Sequence, residues 1–323
     1  MRSLSFISVL ICSHNPRSEY LSRVLKALCQ QTLAKTEWEL LLIDNASDAR
    51  LYENFDLSWH PAGRHLYVER LGKTHALLTG IKEAKGEILV VVDDDNVLAA
   101  DYLAKVREIF ESNPFLGVIG GRIEGEYEED PPEWAKPYLL YLAVIDFGDK
   151  NFYALSPDLG PYTPPGAGMA IRKDIAEYYA RQVREDPIRL ALDPIGDKLS
   201  RSGDTDMALC SFEMGFAKGY FPELKLTHLI PKARLEPGYI QRLVEGSEYS
   251  AMLLSLVRGL VKPPPSQYLP FWRRQLSKLI WRIKNRKTQR LHLAMRKAME
   301  RGRNDAQAYY QSLCSAEGVR KER

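Results

Sequence analysis

Apolar residues along this chain fall into short runs separated by stretches of helical spacing. Phe6 to Cys12 (FISVLIC), Leu40 to Ile43 and Glu87 to Val92 are nearly unbroken apolar segments rich in Ile, Val and Leu. Runs of that length, without polar alternation, predict strands buried on both faces, as in a parallel sheet. Between them, Ser18 to Gln31 places Leu21, Val24, Leu25 and Leu28 on one face of a helix. Thr74 to Ala84 predicts a second helix, stopped by Lys85-Gly86, and Asp101 to Glu111 a third. Leu66 to Glu69 and Leu116 to Gly120 add short strands. Strands alternating with helices predict an α/β fold with a mostly parallel, twisted sheet flanked by helices.

The pattern changes after residue 120. Gly125 to Tyr141 is acidic, then aromatic and proline-rich, and Pro157 to Gly168 reads as loop. Met169 to Arg172 predicts a short strand, with Asp174 capping the helix after it. Asp204 to Met214 predicts a helix, and Gly219 to Pro222 and Leu224 to Leu229 two strand-like segments. From Glu236 onward the chain reads helical, broken at Pro263-Pro264-Pro265. The expected organisation is 1–120 and 121–235 as two halves of one catalytic domain, then a helical extension over 236–323.

Hydrophobic residues at 45% and charged residues at 27% describe an ordinary globular chain. A formal charge of +3 gives no reason to expect nucleic acid as a partner. Cys12, Cys29, Cys210 and Cys314 are far apart and form no CxxC pair, which argues against a zinc site or a disulfide framework. The apolar start lacks the layout of a signal peptide, and no apolar run is long enough to span a bilayer. A cytoplasmic setting is expected.

Candidate chemistry gathers at the predicted strand ends. Asp93-Asp94-Asp95-Asn96 follows the apolar run Val90 to Val92. Asp or Asn at such a turn is ordinary helix capping, but three adjacent carboxylates call for a positive partner. A divalent cation, Mg2+ or Mn2+, carrying phosphate oxygens meets that need. Asp93 and Asp95 alternate, so one can serve a ribose hydroxyl and the other the cation, with His228 as a second ligand; the plainer alternative for His228 is packing. Ser13-His14-Asn15-Pro16 and Asp44 also close predicted strands; each reads as a turn or as part of a nucleotide pocket, with Asp44 accepting from the base. Gly203-Asp204-Thr205-Asp206 reads as a helix cap or as a source of a general base. The small residues of Pro165-Gly166-Ala167-Gly168-Met169 let backbone approach a ligand.

VLICSHN (Val9 to Asn15), LLIDNASD (Leu41 to Asp48), GKTHALLTGIKEAKGEILVVVDDDN (Gly72 to Asn96), PGAGMAIRK (Pro165 to Lys173) and SGDTDMAL (Ser202 to Leu209) occur in fixed order. Together they resemble the glycosyltransferase family 2 enzymes, whose fold is called GT-A, from Ser8 to about Asp206. The resemblance implies a nucleotide-sugar donor, by default a uridine diphosphate sugar, and inversion at the anomeric carbon. It implies Asp44 at the base, Asp93 and Asp95 as the DXD residues for ribose and metal–diphosphate, and the Gly166 to Met169 loop beneath donor sugar and acceptor. Asp204 matches the second residue of the family's Glu-Asp motif, the base. Gly203 stands where that motif has Glu, so Asp206 is a rival base. Lys73 stands in for an Arg the family carries near Leu77. Ser13, Asn15 and Asp94 complete the expected donor contacts.

The acceptor is expected to be a sugar or lipid-linked sugar, in bacterial surface polysaccharide or glycolipid synthesis. Trp134, Tyr138, Tyr141, Phe147, Tyr153 and Tyr162 form either its wall or a satellite core. Residues 271–290 interleave Trp272, Trp281 and many Lys and Arg with apolar residues. They read as an interfacial helix on the inner membrane face or as an amphipathic helix packed on the core. Two other functions compete: a nucleotide-sugar nucleotidyltransferase, and a degenerate donor-binding scaffold, which Gly203 motivates.

Overall fold

A computed structural model describes residues 6–190, 192, 202–260 and 286–316. Strands β1 (Ile7–Ser13), β2 (Trp38–Asn45), β3 (Gly63–Val68) and β4 (Ile88–Val92) lie parallel in the order β3-β2-β1-β4. They alternate with helices α1 (Ser18–Cys29), α2 (Leu51–Asn54) and α3 (Lys73–Glu83). Then come β5 (Asn96–Leu98), α4 (Tyr102–Ser112), β6 (Leu116–Tyr127), β7 (Phe152–Ala154) and β8 (Ala170–Arg172). Next are α5 (Lys173–Glu185), α6 (Pro187–Leu190), α7 (Gly203–Glu213), β9 (Ala217–Ile230), α8 (Pro237–Val257) and α9 (Arg286–Ala316). The sheet continues β4-β8-β6-β9-β5, with β7 also on β9. β8 runs antiparallel to both β4 and β6, while β9 is parallel to β6. The α/β class and mostly parallel sheet are as the sequence predicts.

Side chains alternate between the two faces of the central strands. Val9 and Ile11, with Val90 and Val92, pack on Val24 and Leu28 of α1 and Phe110 of α4. Leu10, Leu41, Leu89 and Val91 pack on Leu77 and Ile81 of α3 and Ile175 and Tyr179 of α5. Helices on both faces leave the strand ends as the open edge. The carboxyl ends of β1, β2 and β4 therefore bring Ser13, Asn45 and Asp93 to one side.

Several sequence expectations are corrected. The strand expected over Leu116 to Gly120 runs on to Tyr127 as β6. The two strand-like segments near Pro222 are one strand, β9. Its pairing with β6 jumps from Gly121–Phe221 to Arg122–Lys225, so the proline, which lacks an N–H, sits in a bulge. Asp174 does not cap α5: Arg172 holds the cap position, and Asp174 accepts from the Ile175 N–H at 2.8 Å. The helical extension packs closely on the rest. Ile240 and Val244 of α8 meet Ala135, Tyr138 and Met295, and Leu253 and Leu254 meet Leu209 and Ala306. Among the described residues, no helix is long and apolar enough to cross a membrane. Of the stretch 271–290, residues 271–285 lie outside the described residues, and the rest opens α9.

Candidate active site

A cleft of about 1040 Å³ lies over the carboxyl ends of β1 and β4. Ser13, Lys73, Asp93, Asp94, Asp95 and Gly166 line it, together with Asp204, His228 and Arg234. Lys73 is the first residue of α3, so its ammonium projects from the positive pole of that helix. Its Nζ lies 2.8 Å from Asp93 Oδ1 and 3.7 Å from Asp204 Oδ2. One ammonium thus joins the end of β4 to the start of α7. Gly166 makes room for this: a Cβ there would stand 2.0 Å from Asp204 Oδ2.

Asp95 is buried and meets two partners. Its Oδ2 is 2.8 Å from Arg234 Nη1 and 3.3 Å from His228 Nε2, and those two nitrogens are 3.1 Å apart. His228 arrives because β5 pairs antiparallel with β9, setting Asn96 opposite His228. Burial opposes ionisation of Asp95, yet the His228 and Arg234 contacts outweigh it and hold the carboxyl well below the usual range. The His228 Nδ1 is buried with no hydrogen-bond partner among the described residues. Burial likewise pushes the Cys12 thiol, in the cleft wall, up to about 12, so it stays neutral.

Asp94 behaves differently. Burial, and next the Asp95 charge, push its carboxyl from 3.8 up to about 6, against a hydrogen bond from Ser13 Oγ. A carboxyl raised on folding contributes stability that is complete below pH 3.8 and lost as pH rises through about 6. Asp94→Asn is therefore expected to gain at most about 2–3 kcal/mol over the parent at pH 8 and almost nothing at pH 4. Urea denaturation at the two pH values checks this; an equal gain at both contradicts it.

Other expected residues lie elsewhere. Asn15 is tied to Asp48, its Nδ2 donating to Oδ2 at 3.0 Å, and does not line the cleft. Asp44 spends Oδ1 on the Ser47 N–H and Oδ2 on the Leu51 N–H, at 2.9 and 3.1 Å. It borders a separate cavity of about 330 Å³ with Arg50 and Tyr67. Gly168, at φ +72°, bends the chain into β8 and gives its carbonyl to Tyr102 Oη at 2.6 Å. Met169 is wholly buried, and its carbonyl accepts from the Val91 N–H. Asp206, the rival base, is also wholly buried: Arg258 Nε reaches its Oδ1 at 2.5 Å and Arg189 its Oδ2 at 3.5 Å. It pins α8 to α7 and has no access to a substrate.

Of the six aromatics expected at an acceptor wall, only Tyr141 lines the cleft. Trp134 and Tyr138 pack beneath α8 and α9, Phe147 meets Tyr220 edge to face, Tyr153 tilts against Phe115, and Tyr162 lies under Lys218. Sequence reasoning missed Arg70, Arg234 and the α8 residues Ser247 and Glu248, all of which line the cleft. Only Arg234 left a trace in the chain, as a cation six residues after His228.

A basic helix start thus faces clustered carboxylates at the ends of parallel strands. The profile of glycosyl transferase family 2 matches residues 8–179, more than half of the chain. The chain belongs to that family. It is 27% identical to glycosyltransferase AglE of Haloferax volcanii over 39% of this chain and 41% of that one. It is 27% identical to the dolichol-phosphate mannosyltransferase of Pyrococcus furiosus over 60% of this chain and 50% of that one. The matches thus span about half or less of these curated relatives. The crystal structure of S. aureus TarS 1–349 superposes with a TM-score of 0.47 at 14% identity, covering 95% of this chain and 91% of that one.

Proposed function

We propose that this protein is a glycosyltransferase that takes its sugar from a nucleoside diphosphate donor, a uridine diphosphate sugar by default. It transfers that sugar with inversion to a hydroxyl of a sugar or lipid-linked sugar. One observation carries the reading: Lys73 gathers Asp93 and Asp204, so a carboxylate suited to the donor and one suited to the acceptor face each other across one cleft.

Asp204 accepts the proton of the attacking hydroxyl, as a general base. Lys73 and the start of α3 attract the diphosphate. A divalent cation fits the donor set. Asp95 Oδ2 and His228 Nε2 are 3.3 Å apart. Two neighbouring ligands, each about 2.0–2.2 Å from one ion, have that spacing. Among the described residues, no group of three or more His, Cys, Asp or Glu gathers around an ion site. Asp95 and His228 would hold such an ion, leaving its other positions open to the donor and to water. When bound, the cation offsets charge on the departing diphosphate.

The guanidinium of Arg234 rests on both of these ligand atoms, so it and the cation compete for one place. Arg234→Met is expected to tighten Mn2+ binding in the absence of nucleotide by about tenfold or more, the worth of a charge-assisted hydrogen bond. Calorimetry reads this directly; an unchanged affinity would move the ion elsewhere.

The function itself is tested by incubating the protein with uridine diphosphate sugars and Mn2+ and following the products. Free sugar and UDP, from transfer to water, support the reading. Pyrophosphate marks a nucleotidyltransferase, and binding without either product marks a donor-binding scaffold.

A further inference from the structure

We propose that α8 builds the acceptor subsite, with Glu248 as the carboxylate that takes hydrogen bonds from a neutral, polyhydroxylated sugar ring. The inference rests on reading the cleft as a transferase site. The cleft does not end at Asp204. It continues to α8, where Ser247, Glu248 and Ala251 line it together with Leu140 and Tyr141. Its volume of about 1040 Å³ is at the upper end of the range for ligand sites, about 300–1,000 Å³.

Glu248 is held from two directions. Its Oε1 accepts from Tyr141 Oη at 2.9 Å, and its Oε2 accepts from Arg303 of α9 at 2.7 Å. The side chain keeps 18% of its surface exposed. A carboxylate has about four acceptor positions, so these two bonds fix its orientation and leave acceptor capacity toward the cleft. Arg303 balances its charge, which removes the cost of an isolated buried anion. An anionic ligand would still meet Glu248, whereas sugar hydroxyls can donate to it. Beside it, Leu140 is 59% exposed and Tyr141 offers a ring, an apolar surface for the C–H face of a sugar. The small side chains of Ser247 and Ala251 keep the α8 wall low.

The test uses the full chain saturated with UDP and the p-nitrophenyl glycosides of glucose, galactose, mannose and N-acetylglucosamine as probes. Saturation-transfer NMR reads glycoside affinity, and calorimetry reads UDP affinity. At least one glycoside is expected to bind the parent. Glu248→Gln is expected to weaken it about tenfold or more, and Ser247→Trp, which fills the space without touching the ion pair, to abolish it. UDP affinity should stay within about twofold in both variants, with melting curves confirming folding. The proposal is overturned if no glycoside binds, if both variants bind like the parent, or if Glu248→Gln loses UDP together with the glycoside. Glycoside binding of the expected pattern without UDP binding supports the subsite and removes the uridine donor instead.

Discussion

Asp204→Asn is expected to keep donor affinity and to lower turnover by about 10²–10⁴, the usual worth of a positioned general base. The substitution keeps the shape of a side chain that fits over Gly166, where a Cβ would come within 2.0 Å of Asp204 Oδ2. Lys73 keeps its 2.8 Å contact to Asp93, so the donor side stays charged as before. Only the ability to take a proton is removed. The split between unchanged donor affinity, by calorimetry, and reduced turnover is therefore the signature. Unchanged turnover would deny Asp204 the role. Asp206 is not an heir, because Arg258 and Arg189 enclose it.

Asp95→Ala is expected to abolish the part of nucleotide binding that EDTA removes, a loss of more than about 100-fold if outer partners alone are worth 10–100-fold. Asp95 and His228 are the pair whose spacing suits one ion, and a lone imidazole does not hold magnesium with an oxygen preference. The alanine also leaves Arg234 without its carboxylate, and breaking a buried pair costs about 3–5 kcal/mol. Asp95→Asn is the companion variant, since it keeps the volume and an acceptor for Arg234. EDTA-sensitive binding that survives in both variants would place the ion away from Asp95.

The parallel half of the sheet was legible because β1, β2 and β4 are buried on both faces. No polar position interrupts Val9 to Ile11 or Leu89 to Val92, and helical spacing resumes between them. The second half was less so. There, β8 runs against its neighbours and β9 bulges at Pro222, both set by long-range pairing. In the site, Lys73, Asp93, Asp95, Gly166, Asp204 and His228 line one cleft. Asn15, Asp44 and Met169 carry equally strong motif signals, yet their polar atoms serve the turns and strands around them. Sequence does not distinguish an aspartate that caps a loop from one that faces a ligand. Glu248 gave no signal and Arg234 only its spacing from His228, because both reach the cleft only once β9 has joined the sheet and α8 has packed beside it.

A crystal grown with UDP and MnCl2 tests the central claim most directly. The account predicts an anomalous peak about 2.0–2.3 Å from both Asp95 Oδ2 and His228 Nε2, shared with diphosphate oxygens, and Arg234 displaced from that pair. Bound UDP with Arg234 still seated on Asp95, and no peak beside it, would contradict the account.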